Sequence, residues 1–293
     1  MRILIAGWFS FEKMGVTAGD VMACDVLCSW LRKADIPFDV AFAPPFQGGV
    51  RWQNADPASY SHVCFVCGPF GNGWPISEFL DHFNGIKLIG LNLSLLQSRD
   101  EWDPFTICYE RDSSSSQRPD ITFGANFPKV PVVGIILAHK QKEYGARSLH
   151  PRVDEAISAF VARHRMVPIY IDTCLEDNQG GLTSASEVES LIAKMDACIT
   201  TRLHGLVLSI KNSVPAVAID PIAGGAKVSS QAKAISWPVI ISAEDLSENV
   251  LEKAFEYCLT TGARLEATRC ANNSKKIIDE LGEELIMKLK LDQ

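Results

Sequence analysis

Short, unbroken apolar runs recur along the chain: ILIAG at 3–7, HVCFVCG at 62–68, IKLIGLN at 86–92, PVVGIILA at 131–138, ACIT at 197–200 and PAVAID at 215–220. A strand that is apolar on successive residues must be covered on both faces, which a parallel sheet between helical layers provides. The segments between the runs carry the 3.6-residue period of amphipathic helices, notably 20–33, 76–83, 151–163, 187–194, 203–210 and 244–258. FDVAFA, MVPIYID and PVIIS add further strands. The stretch 60–92 reads as one βαβ unit, with the right-handed crossover such units adopt.

The alternation breaks once, between residues 93 and 130. Four serines at 113–116 and Pro119 interrupt any regular element there. With 293 residues and 47% hydrophobic content the chain can fill two cores. The expected fold class is therefore α/β, with two Rossmann-like three-layer domains facing a cleft. The domains are placed at 1–128 and 129–262, and 263–293 is expected as one or two closing helices packing back on the first domain.

A formal charge of -7 leaves no broad basic surface, so nucleic acid is not an expected partner. The nine cysteines are scattered through apolar runs, as reduced core thiols are. His62, Cys64 and Cys67 do not make a metal set, because strand positions 64 and 67 face opposite sides. No metal is expected. The start of the chain lacks a secretory-leader pattern, and the longest apolar run is about half of what a bilayer crossing requires. The expected location is cytoplasmic, without a transmembrane segment and peripheral to the inner membrane face through an acceptor.

TTRLHG at 200–205 follows ACIT directly, at the carboxyl end of a parallel strand where α/β folds bind ligands. Thr200 or Thr201 is expected to cap the next helix, whose free N–H groups favour an anion. Helix electrostatics gives no reason for Arg202 in that first turn, whereas recognition of a phosphate or carboxylate does; a domain salt bridge is the alternative. His204 beside it can exchange protons near neutral pH, or simply satisfy backbone groups. Lys227 follows the next strand through PIAGGAK and offers a second cation, or a solvated side chain. In the first half, GWFSFEKMGVTAGD places Gly15, Gly19 and Asp20 at a strand end, as an anion loop or as a cap and a turn. CGPFGNG adds Gly68 and Gly71. The aromatic residues Trp8, Phe9, Phe11, Trp52, Phe70 and Trp74 suit either sugar stacking or loop packing.

In order along the chain, GVTAGDVMACDVL, HVCFVCGPFGNG, ICYERDSSS and DACITTRLHGLVLSIKNSVPAVAIDPIAGGAK resemble the motifs of the polysaccharide pyruvyl transferase family. The likeness spans roughly residues 3–241 and is most specific from Arg202 to Lys227. It implies a GT-B-like arrangement and transfer of pyruvate from phosphoenolpyruvate to a sugar hydroxyl pair, forming a ketal and releasing phosphate. No cofactor beyond that donor is implied. The acceptor would be a lipid-linked or polymeric glycan on the first domain, with the donor on the second. The resemblance gives His204, Arg202 and Arg111 catalytic roles, and assigns donor binding to Lys227, Arg202, Arg111, Gly15, Gly19, Asp20, Gly68 and Gly71. Two alternatives stand beside it: a GT-B-like glycosyltransferase using a nucleotide sugar, and a non-catalytic glycan-binding protein. The first requires a site for a nucleotide base, for which the sequence offers no clear feature.

Overall fold

A computed structural model describes residues 1–113, 117–138 and 142–291, with the side chains of 142 and 143 excluded. Ser114, Ser115 and Ser116 of the serine run lie outside the described residues. The chain divides into two compact units, Met1–Pro128 and Lys129–Gln293.

The first unit runs β1(Ile3–Ala6), α1(Ala18–Lys33), β2(Phe38–Val40), β3(His62–Phe70), α2(Ile76–His82), β4(Lys87–Leu95) and β5(Ile107–Glu110). Its sheet is parallel, in the order β2-β1-β3-β4-β5. Alternate residues feed two cores, which is why the strands read as continuous apolar runs. Ile3, Ile5, Cys64 and Val66 pack with Ala23, Cys24 and Leu27 of α1. Leu4, Ala6, Val63 and Phe65 pack with Phe79 of α2 and with Phe11, Trp52 and Phe70. Those aromatic residues, together with fully buried Phe9, are core residues; of the six expected near a sugar, only Trp74 is largely exposed, at 71%. Loop packing therefore accounts for most of the set.

The second unit runs β6(Val132–Ile136), α3(His150–Arg163), β7(Val167–Tyr170), α4(Ala185–Ile192), β8(Ala197–Thr200), α5(Leu203–Lys211), β9(Ala216–Asp220), α6(Lys227–Ala234), β10(Ile240–Ser242), α7(Glu248–Cys258) and α8(Thr261–Leu291). Its strand order, β10-β9-β8-β6-β7, repeats that of the first unit, and all its pairings are parallel. The direction of winding reverses between β6 and β8, and ligands of open α/β sheets bind outside the strand ends at such a point. The closing segment is a single helix, and its first turns belong to this unit: Ala263, Ala267 and Cys270 are buried in the same core as Leu206 and Ile210 of α5. All nine cysteines are free, and most are buried.

No helix among the described residues is long and apolar enough to cross a membrane.

The start of the first sheet is tied by charge. Asp39 of β2 accepts two hydrogen bonds from the Arg2 guanidinium at 2.8 Å and one from the Tyr60 hydroxyl at 2.9 Å. Arg2 holds the Asp39 carboxyl below its ordinary range, while burial and Asp39 push the Tyr60 phenol up to about 12. The folded-state value of Tyr60 lies above the unfolded value, so its contribution to stability is present below about pH 10 and is lost as pH rises through about 12. Tyrosinate absorbance during an alkaline titration should show one phenol ionising near that upper value, and Asp39→Asn should move it down.

Candidate functional site

Where β6, β8 and β9 end, the second unit holds a cavity of about 250 Å³ lined by Ala138, Thr201 to His204, Asp220 to Ile222, Lys227 and Val228. Two neighbouring turns, after β8 and after β9, thus bring together the three residues singled out in the second half of the sequence: Arg202, His204 and Lys227.

Gly205 sets the position of α5. A Cβ on this residue would meet the Thr200 Oγ1 at 2.2 Å and the Ile136 Cγ2 at 2.8 Å, so only glycine lets the first turn lie against β6 and β8. The expected caps act differently. Thr200 Oγ1 accepts from the backbone N–H of Arg202 at 3.0 Å and donates to the Ile136 carbonyl, while Thr201 Oγ1 accepts from the Ala138 N–H at 2.8 Å. Arg202 is itself the N-cap and makes no side-chain cap bond. Among the described residues the N–H groups of Leu203, His204 and Gly205 find no protein acceptor. Free amides at a helix start favour an anion.

The α6 end is different. Asp220, fully buried at the end of β9, accepts from the N–H groups of Ile222, Ala226 and Ser229 at 3.2, 2.7 and 2.9 Å. Its carboxylate occupies the helix terminus and pins the loop in which Gly224 and Gly225 take φ values of 76° and 77°, a conformation that favours glycine. The same loop presents Lys227, whose ammonium lies 5.9 Å from the centroid of the Tyr144 ring. His150, the first residue of α3, is buried, interacts electrostatically with Asp220 and Lys227, and has its pKa lowered by burial. It adds no charge to the site near neutral pH.

Arg202 reaches across the sheet end to Asp172, just past β7, with a 2.7 Å ion pair. His204 is exposed at the mouth of the cavity. A second cavity of about 350 Å³ lies on the β7 side, lined by Ile135, Leu137, Tyr170, Ile171, Asp172, Gln179 and Gly180. Leu137 and Ala138 are consecutive residues lining the two cavities, and the Arg202–Asp172 pair joins them.

In the first unit, Gly68 and Asp20 are neighbours: a Cβ on Gly68 would lie 3.7 Å from the Asp20 Oδ1 and only 2.4 Å from the Trp8 ring. Asp20 is a helix-capping group, accepting from the N–H and the hydroxyl of Thr17 at 2.8 Å. Gly19 lies inside the first turn of α1, and Gly15, at φ 67°, has nothing close to it. Gly71 sits against Leu96 and Gln97. Arg111 follows β5 and gives its guanidinium to Asp112 at 3.1 Å, Asp120 at 2.9 Å and Ser94 at 2.7 Å.

A family profile described as polysaccharide pyruvyl transferase matches residues 119–221, less than half of the chain. No curated protein matches in sequence. Solved structures with a similar fold include the calicheamicin glycosyltransferase CalG4, at 12% identity over 97% of this chain and 98% of that one, with a TM-score of 0.34. The spinosyn rhamnosyltransferase SpnG complexed with thymidine diphosphate is 12% identical over 93% and 95%, with a TM-score of 0.32. The UDP-GlcNAc 2-epimerase of Methanocaldococcus jannaschii, in complex with UDP-GlcNAc and UDP, is 10% identical over 89% and 93%, with a TM-score of 0.33.

These neighbours correct the expectation of a ketal-forming pyruvyl transferase with phosphoenolpyruvate as donor and partner. Those named with bound ligands hold nucleotides or a nucleotide sugar. The charges give a physical reason for the same correction. A clamp for that small, highly charged donor drew on Arg111, yet Arg111 is held by two carboxylates of its own unit.

Reading the sequence missed Asp172, Asp220 and Gly205. Gly205 had the one available signal, a glycine in the first turn of an otherwise apolar helix. Gly205→Ala should lower stability by about 1–3 kcal/mol through overpacking. Gly282→Ala, on an open part of α8 with nothing within 4 Å, should raise it by about 0.5–1 kcal/mol. Urea unfolding midpoints of the two variants would check both signs.

Proposed function

We propose that the chain is a glycosyltransferase that takes a nucleotide-activated sugar as donor and binds it on the second unit. The observation that carries this reading is the pair of adjoining cavities. The first offers what a diphosphate requires, namely the N–H groups at the start of α5, which meet no acceptor among the described residues, the Arg202 guanidinium and the Lys227 ammonium. The second supplies the base site that the sequence did not reveal. Tyr170, 62% exposed, offers an aromatic face for stacking, and the amide of Gln179 can both donate and accept along a base edge. Thymidine diphosphate and UDP, held by two of the neighbours, are ligands of this shape. The match over residues 119–221 fits as shared ancestry of this part of the chain with a different donor.

In the reaction, an acceptor hydroxyl oxygen attacks the anomeric carbon while the bond from that carbon to the diphosphate oxygen breaks. The hydroxyl proton leaves to solvent or to a base, and the electron pair goes to the departing phosphate. The α5 amides, Arg202 and Lys227 stabilise the charge that grows there. His204, at the cavity mouth, donates a hydrogen bond or a proton to the same oxygen. Asp172 holds Arg202 in place beside the diphosphate.

Isothermal titration calorimetry distinguishes this reading from others. UDP or TDP should bind at one site per chain, while phosphoenolpyruvate at the same concentration should not. Arg202→Ala should weaken nucleotide binding by about tenfold or more, the loss of a charge-assisted pair. Tyr170→Ala should weaken UDP and leave inorganic pyrophosphate unchanged. Tight phosphoenolpyruvate binding without nucleotide binding would overturn the proposal.

A further inference from the structure

The apolar face of α8 does not stop where its buried turns end. Ala263, Ala267 and Cys270 are packed into the core, and the same helical stripe continues through Ser274, Ile277, Ile278, Leu281, Leu285 and Leu289. Those five aliphatic side chains are between 53% and 61% exposed. At the root of this projecting part lies a largely apolar groove of about 440 Å³, lined chiefly by Val207 and Ile210 of α5, Ile235, and Ala271 and Ile278 of α8. An apolar stripe of four turns that is continuous with a packed core face is an interface lacking its other half.

We infer that the other half is a second copy of this chain, its α8 lying antiparallel against the first so that the distal turns of each helix cover the root groove of the other. Such pairing is isologous and closes as a two-fold dimer. Covering the five aliphatic side chains removes on the order of 100 Å² each, about 1,000 Å² for two copies before the groove is counted, which is where stable interfaces begin. Charge argues against a lipid surface. Lys275, Lys276, Lys288 and Lys290 are balanced by Asp279, Glu280, Glu283 and Glu284, and three of the lysines pair with an acid one turn away on the same helix. Helices that lie on anionic membranes carry an excess of lysine and arginine and use aromatic anchors, neither of which is present in this segment.

The test is the mass of the full chain by sedimentation equilibrium across the micromolar range. The wild type should reach twice the monomer mass. The Leu281→Glu, Leu285→Glu double variant should remain monomeric with unchanged helical circular dichroism, since both side chains are already exposed. A control, Glu280→Gln on the polar face, should still dimerise. A wild type that stays monomeric at high concentration would overturn the inference, as would a double variant that still dimerises. A monomeric wild type that co-sediments with phosphatidylglycerol vesicles would assign the face to a membrane instead.

Discussion

The seating of α5 on the second sheet is the constraint from which the rest of the site follows. Gly205 lets the helix touch Thr200 and Ile136, and that contact aims the first-turn amides at the point where the sheet reverses its winding. A side chain at position 205 would lift the helix start away from the strand ends and carry Arg202 and His204 with it. The neighbouring helix shows what happens to such a terminus when the protein supplies its own anion. Asp220 fills the start of α6 and turns it into a rigid support for the loop bearing Lys227. Two similar strand–loop–helix turns thus differ: the first-turn amides of α5 meet no acceptor among the described residues, while the start of α6 is closed by a buried carboxylate.

Charge balance decides what kind of anion the open terminus suits. Arg202 is neither free nor buried away; Asp172 orients it and offsets part of its charge. Lys227 stands near Asp220 and above an aromatic ring. Two cations, each with a carboxylate close by, thus lie along one end of the sheet, and the exposed Tyr170 lies beyond them. On the proposed reading, this row takes an extended ligand, with its diphosphate at the cations and its aromatic base at the tyrosine. In the first unit the motif arginine, Arg111, is tied to Asp112 and Asp120.

Much of the fold was legible because strands buried on both faces leave an unmistakable trace. Runs such as ILIAG and ACIT can belong only to covered strands, and their order implied two parallel sheets. Two elements escaped. β5 is an edge strand, and its ICYE segment is half exposed, so it lacks the continuous apolar pattern. α6 has few apolar residues and begins where Asp220 caps it from the preceding strand, a contact that short-range pattern cannot show. At the site, Arg202, His204 and Lys227 stood out because cations at strand ends are chemically conspicuous. Asp172 did not, since its role depends on β7 lying beside β6 rather than next to β8 in chain order. The donor was misjudged for a related reason. A resemblance in motif order carries the position of charged residues, but not which of them are already paired.

A crystal structure of the full chain grown with UDP tests the central claim most directly. The account predicts the diphosphate against the N–H groups of Leu203 to Gly205, with Arg202 and Lys227 within hydrogen-bonding distance and the uracil ring over Tyr170. A nucleotide bound anywhere else on the chain, or a diphosphate at the start of α6 with Asp220 displaced, would contradict it.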